Sequence, residues 1–234
     1  MKLSIIIPAY NEENRIQKTL QPYYDFFNKK LGKDFEIIVV PNNCKDKTLE
    51  IVQKFAKTKK NVKIINIPFY VGKGGAVMTG FEAAEGKLVG FTDADNSIIP
   101  EEFNKIYENI NGYDGIIASR KIRGAIITPK RTMKQDLSSF LFNKLTNLLF
   151  NLKFKDTQCG AKLFKSEIIQ ILIKKNTQKG WMFDVDLLYI CKKQGFKIKE
   201  FPIIWTDSVG SKLSFKDQIT STLNLIKYRI KTFF

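Results

Sequence analysis

The chain has 234 residues, 44% hydrophobic and 26% charged, with 39 Lys and Arg against 23 Asp and Glu and a formal charge of +16. That composition excludes wholesale disorder and suits one α/β domain with a sizeable core. With no histidine, it also excludes a Ser-His-Asp triad, a histidine base and histidine metal ligands, so a bound metal must take oxygen ligands, as Mg²⁺ or Mn²⁺ does.

Alternating strands and helices fill the first half. "KLSIIIPAY" reads as a strand, followed by a helix from Asn11 to about Lys29 with Asn11 as its cap and Glu12 and Glu13 in its first turn. "FEIIVV" is the second strand, and Asp46 caps the helix "KTLEIVQKFAKT". "VKIINI", the helix "GGAVMTGFEAAEG" closed by Gly86, and the strand "KLVGFTD" come next. Continuous apolar runs separated by helices indicate a parallel sheet covered on both faces.

In the second half, "DGIIASR" reads as a strand and "RKIRGAIITPKR" as a basic loop. Helices are expected at Met133–Phe150, near Lys165–Lys174 and at Asp184–Gln194, with a strand at "FKIKEFPIIW" and an amphipathic stretch from Phe215 to Phe234. No internal repeat or linker divides the chain. One domain is expected, with a nucleotide-binding half at about 1–97, an acceptor-side half at about 98–212 and a C-terminal amphipathic helix at 213–234. The start lacks the long apolar region and cleavage site of a signal peptide, and no apolar run of about 18 residues predicts a membrane span. The cysteines Cys44, Cys159 and Cys191 have no zinc-like spacing and read as reduced thiols of a cytoplasmic protein. The positive charge either favours anionic partners or reflects a lysine-loading genome.

In a doubly wound sheet, ligands gather at the carboxyl ends of the strands. Pro8-Ala9-Tyr10-Asn11-Glu12, Pro41-Asn42-Asn43 and Asp93-Ala94-Asp95 occupy three such ends. Asp93 and Asp95 repel each other unless a cation sits between them; read alone, they also fit an Asp-capped turn. Gly72, Gly74 and Gly75 open a helix beside Lys73 without matching a Walker A loop.

The segments "SIIIPAYNEE", "GKGGAVMTG", "FTDADNS", "DTQCGAKLF" and "WMFDVDLLY" appear in the order found in family 2 inverting glycosyltransferases, over about Lys2–Trp205. The chain most resembles the dolichyl-phosphate and polyprenyl-phosphate sugar synthases of that family. The resemblance implies a GT-A, Rossmann-like fold, with a mixed, mostly parallel sheet in a single domain. It also implies transfer of a hexose from UDP- or GDP-sugar, UDP-glucose favoured, to a lipid phosphate with inversion. Pro8, Ala9, Tyr10, Glu12, Asn42, Lys73, Gly74, Asp93, Ala94 and Asp95 would line the donor. Asp95, assisted by Asp93 and Ser97, would hold Mg²⁺ or Mn²⁺. Asp95, Asp184 and Arg120 are the catalytic candidates. Arg120 and Arg131, backed by Arg123 and Lys130, would take the acceptor phosphate. Gln158, Cys159, Gly160, Trp181, Asp184 and Asp186 would line the sugar and acceptor pocket.

Two departures stand out. The family's "DDGSxDxT" is "PNNCKDKT" here, which replaces both leading acids by Pro41 and Asn42, although Asn42 still donates and accepts at a base edge. Ser97 stands where some lipid-phosphate mannose synthases carry a metal-binding glutamine. A lipid monophosphate is ionised near neutral pH and needs no strong base, whereas a glycan or glycolipid hydroxyl would require Asp184 or Asp186 as one. Peripheral contact with the cytoplasmic face of a membrane is expected, through the terminal helix unless that helix packs on the core. A non-catalytic nucleic-acid-binding role finds no motif, and no specific nucleic-acid partner is expected.

Overall fold

The computed structural model describes residues 1–129, 133–180, 182–207 and 224–230, with side chains at 133–136 left aside. Strands Leu3–Ala9 (β1) and Phe35–Pro41 (β2) are buried at every position, as their unbroken apolar runs require of strands covered on both faces. Val62–Ile64 (β3), Leu88–Phe91 (β4), Gly115–Ser119 (β5), Lys162–Lys165 (β7) and Ile198–Pro202 (β8) complete a sheet in the order β3-β2-β1-β4-β7-β5-β8. β1 pairs in parallel with both β2 and β4, with Ile5 opposite Ile37 on one side and Gly90 on the other. β7 is antiparallel to β4 and β5. The chain therefore moves outward from β1 to β3 and returns to the other side of β1 at β4. That reversal opens a crevice at the carboxyl ends of β1 and β4.

Alternate residues of each strand feed two cores. On one face Ile5, Ile7 and Ile37 meet Leu20, Tyr23 and Phe27 of helix Ile16–Leu31 (α1) and Phe103 and Ile106 of helix Pro100–Glu108 (α4). On the other, Ile6, Ile38 and Phe91 meet Val77 and Phe81 of helix Gly72–Glu82 (α3), Leu172 of helix Ser166–Lys175 (α6) and Leu187 of helix Phe183–Lys193 (α7). Helix Thr48–Ala56 (α2) follows β2, and helix Met133–Phe150 (α5) has the boundaries its pattern predicts. Among the described residues no helix is long and apolar enough to cross a membrane.

The structure departs from the sequence reading at short elements. α1 begins at Ile16, not Asn11, because Asn11 takes a left-handed conformation with φ of 52° and its Oδ1 accepts the Lys45 amide. α3 ends at Glu82, short of Gly86. The basic loop contains a strand, Ile126–Thr128 (β6), paired in parallel with Ile204–Thr206 (β9), so the single strand expected at "FKIKEFPIIW" is two. Strand β7 was not expected. Of the C-terminal helix at 213–234, only 224–230 is described, and it is helical.

Candidate active site

Three loops meet at the crevice and are tied to one another. The Asn42 amide and its Nδ2 both donate to Ala9 O, at 2.9 and 3.1 Å, fastening the end of β2 to the end of β1 behind Pro8. Thr48 Oγ1 accepts the Glu12 amide at 2.7 Å and donates to Asp46 Oδ1 at 2.6 Å. Asp46 Oδ1 also accepts the amide of Thr48, the first residue of α2, at 3.0 Å, and its Oδ2 accepts the Glu13 amide at 3.0 Å, so Asp46 both caps the start of α2 and ties the two loops together. Burial would raise its carboxyl, but hydrogen bonds from Thr48 and Glu13 outweigh burial and hold it below the usual carboxylate range. From α1, Thr19 Oγ1 donates to Ala94 O at 2.8 Å and Tyr23 Oη to Ile98 O at 2.8 Å, clamping the loop after β4 from both ends.

On that loop, Asp93 Oδ1 lies 2.6 Å from Lys73 Nζ, which rises from the first turn of α3. The Lys73 ammonium stands 5.6 Å from the centre of the Phe91 ring and 5.8 Å from that of Phe183. Burial draws its pKa down, but Asp93, Asp184 and Asp95 more than offset this, so Lys73 is held charged. Asp95 Oδ1 accepts the Ser97 amide at 3.0 Å, which fixes that carboxylate's orientation. Between them Asn96 takes φ of 59°, and its buried Oδ1 has no hydrogen-bond partner among the described residues.

Below Asp93 runs β7. A Cβ at Gly160 would lie 2.2 Å from Asp93 Oδ2, so the glycine makes the space in which that carboxylate sits. Lys162, on β7, is fully buried; its Nζ lies 2.5 Å from Asp184 Oδ1 of α7 and donates to Cys159 O at 3.0 Å. Its ammonium is 5.5 Å from the Phe91 ring that Lys73 also approaches. Two lysine–aspartate pairs thus share one aromatic ring, and the sequence reading named three of their four members. Lys162 was missed. Its signal was a lysine inside the apolar run "GAKLF", where an exposed residue is out of place.

The remaining sequence-derived residues divide by location. Tyr10 is exposed at the crevice, edge-on to Tyr70 with ring centres 5.4 Å apart. Asn42 is buried with Oδ1 unpartnered among the described residues. Glu12 is held by Arg15, with contacts of 2.7 and 2.8 Å. The glycine turn packs on protein: a Cβ at Gly74 would come within 2.4 Å of Phe183 Cβ, so the glycine allows α3 to approach α7. Ser97, Cys159 and Gly160 are buried and Gln158 is half-buried.

Arg120 directs its fork into Asp156, with Nε to Oδ2 at 2.7 Å and Nη2 to Oδ1 at 2.8 Å, and lies over the Trp205 ring. Asp186 is buried on the other side of α7 from Asp184, where it accepts the Thr177 and Gln178 amides and the Tyr228 hydroxyl. It fastens the segment before α7 to residues 224–230. Lys130, Arg131 and Trp181 lie outside the described residues.

The donor set at this loop is two carboxylates and a hydroxyl, all oxygen, which suits Mg²⁺ or Mn²⁺. Because Lys73 already neutralises Asp93, the anchor for such an ion falls to Asp95. No cluster of three or more acidic or cysteine ligands exists among the described residues, so the remaining ligands would have to come from substrate and water.

Comparison with known proteins agrees with this geometry. The model for glycosyl transferase family 2 matches residues 4–172. A dolichyl-phosphate beta-glucosyltransferase of Trichomonas vaginalis is 31% identical over 97% of this chain and 73% of its own length. The enzyme of the same name from Saccharomyces cerevisiae is also 31% identical, over 97% and 74%. Among solved structures, glucosyl-3-phosphoglycerate synthase from Mycobacterium tuberculosis with Mn²⁺, UDP and glucosyl-3-phosphoglycerate superposes with a TM-score of 0.70 at 14% identity, covering 97% of this chain and 79% of that one. A mannosyltransferase from Pyrobaculum calidifontis with GDP-Man and Mn²⁺ gives 0.60 at 18% identity, covering 90% and 58%. With a crevice at the sheet's reversal, acids at its lip and relatives matched along nearly its whole length, the chain belongs to glycosyltransferase family 2, with the GT-A fold.

Proposed function

We propose that this enzyme transfers glucose from UDP-glucose to a dolichyl or polyprenyl phosphate, with inversion at the anomeric carbon, at the cytoplasmic face of a membrane. The observation that carries the reading is the Asp93–Lys73 pair beside Asp95 at the sheet's reversal, in a chain whose relatives are named for glucose and dolichyl phosphate. Mg²⁺ or Mn²⁺ held by Asp95, with Asp93 and Ser97 assisting, would supply Lewis-acid neutralisation of the leaving diphosphate. Lys73 adds a fixed positive charge beside the same loop, so charge building on the leaving group meets a group already in position. Asn42 offers its buried Oδ1 to the ring N–H of a base, and the Tyr10–Tyr70 pair offers an aromatic wall. Pro8, Ala9, Glu12, Gly74 and Ala94 shape the donor crevice.

The acceptor is the phosphate monoester, which attacks as its dianion. Arg131, with Arg123, is assigned to hold it. Arg120, whose fork is turned to Asp156, orients the strand end from which those residues depart. Gln158, Cys159, Gly160, Trp181 and Asp186 build or support the sugar pocket. Asp184 disfavours a hydroxyl acceptor: its Oδ1 is already engaged by the buried Lys162 ammonium at 2.5 Å, so that oxygen is occupied where a base would have to take the acceptor's proton. Supplying labelled UDP-glucose with polyprenyl phosphate or polyprenol tests this. Product from the phosphate alone, with a rate that falls as pH drops through about 6, where the phosphate takes up a proton, is expected. Product from polyprenol would return Asp184 to the role of base.

A further inference from the structure

Helix α5 is apolar on two opposite sides. One side, Phe142, Leu145, Leu149 and Phe150, packs in a core with Val185 and Leu188 of α7 and Leu225 and Tyr228. On the other, Leu137, Phe140, Leu141 and Leu148 are 55–80% exposed. At about 100° per residue, these four and Lys144 fall within one arc of about 100°. The surface continues across the end of the helix. Phe150 stacks on Tyr228 at 5.6 Å, and from that same segment Ile226 and Ile230 face outward.

The charges flanking this face are mostly basic. Residues 137–155 include Lys144, Lys153 and Lys155 and no acid, with Asp136 before them and Glu200 accepting the Lys155 amide at 2.8 Å; 224–230 include Lys227 and Arg229 and no acid. Next to it, residues 120–129 carry Lys121 and Arg123 beside Arg120, whose charge is taken up by Asp156, and Lys121 Nζ donates to Ser139 O of α5 at 3.0 Å. From this we infer that the exposed face of α5, extended by Ile226 and Ile230, is a docking surface for an anionic lipid bilayer. Its leucines enter the acyl boundary while the flanking lysines reach the headgroups. A second copy of the chain would bring like charges face to face, and a nucleic acid would leave Leu148 in water. Resting on the lipid-phosphate reading above, the inference also gives a reason for the site's acceptor side to stand at headgroup level: Arg120 directly follows the last residue of β5 and precedes Lys121, which contacts α5.

The test is sedimentation of the full chain with vesicles of phosphatidylcholine alone or mixed with phosphatidylglycerol. Binding to the mixed vesicles that weakens with salt, at least tenfold weaker for Leu141→Asp/Leu148→Asp with an unchanged melting temperature, is the result expected. Transfer to a short, water-soluble prenyl phosphate should be the same for both proteins, whereas transfer to a long-chain acceptor in vesicles should fall in the variant. No binding by the wild type, or equal binding by both, overturns the inference. So does a lowered melting temperature in the variant, which would mean the chain itself covers this face. A wild-type dimer abolished by the substitutions assigns the face to a second copy, and displacement of vesicles by an oligonucleotide assigns it to nucleic acid. Vesicle binding without transfer to any prenyl phosphate would leave the docking surface standing and overturn the acceptor reading.

Discussion

Lys162 and Asp184 form the most enclosed ion pair at the site, and such a pair is costly to break because the survivor is left charged and dry. Lys162→Met should destabilise the protein by about 3–5 kcal/mol, measured by urea unfolding. Lys162→Met/Asp184→Leu should regain most of that stability yet stay inactive. Recovery of activity in the double variant would reduce the pair to a structural role. Asp156 behaves differently. Burial would raise its carboxyl, but Arg120's charge and hydrogen bonds outweigh burial and hold it below the usual aspartate range. A depressed carboxylate contributes stability that is present above its unfolded-state pKa of about 4 and lost as pH falls through the lower folded value. Asp156→Asn should therefore cost about 3–5 kcal/mol at neutral pH and lose less stability than the wild type on acidification below about pH 4. Burial pushes the Cys159 and Cys191 thiols up to about 12, while Cys44 is partly exposed beside Asn42. Labelling of the native protein at mildly alkaline pH should modify Cys44 alone, and UDP should slow it; rapid loss of all three thiols would contradict the packing described.

At the scale of elements, β7 matters most and was least legible. Four residues give too little periodicity to distinguish a strand from a loop, and nothing local says that "KLFK" enters the middle of the sheet. Yet this strand carries Lys162 and follows Gly160, so half of the charge cluster depends on it. Longer elements were readable: α5, β1 and β2 have the patterns that their surroundings demand. The start of α1 was misread because Asn11, Glu12 and Glu13 look like a cap and first turn but serve contacts to the next loop. Gly160→Ala isolates the contribution of β7. The colliding atom is the end of the Asp93 side chain, which can swing away, so stability should change by less than about 1 kcal/mol while sugar transfer falls at least tenfold. A matching fall in stability would mean that the backbone, not Asp93, had moved.

Across the whole molecule, the site's location follows from the reversal of strand order at β1 and β4, and the convergence of Tyr10, Asn42 and Asp93–Asp95 was legible from alternation of strands and helices alone. The pairings within it were not, since they depend on β7, α3 and α7 approaching from sequence positions up to 111 apart, as Lys73 does with Asp184. The charge of +16 became interpretable once α5 and the segment after β5 placed Lys121 and Lys144 next to exposed leucines. The most direct test of the catalytic account is transfer of labelled sugar to polyprenyl phosphate from UDP-glucose and GDP-mannose, with Mn²⁺ or Mg²⁺, with and without a chelator. The account predicts a lipid-extractable product from UDP-glucose, abolished by the chelator and reduced at least a hundredfold in Asp95→Ala. Full activity in the chelator, or in Asp95→Ala, would contradict it.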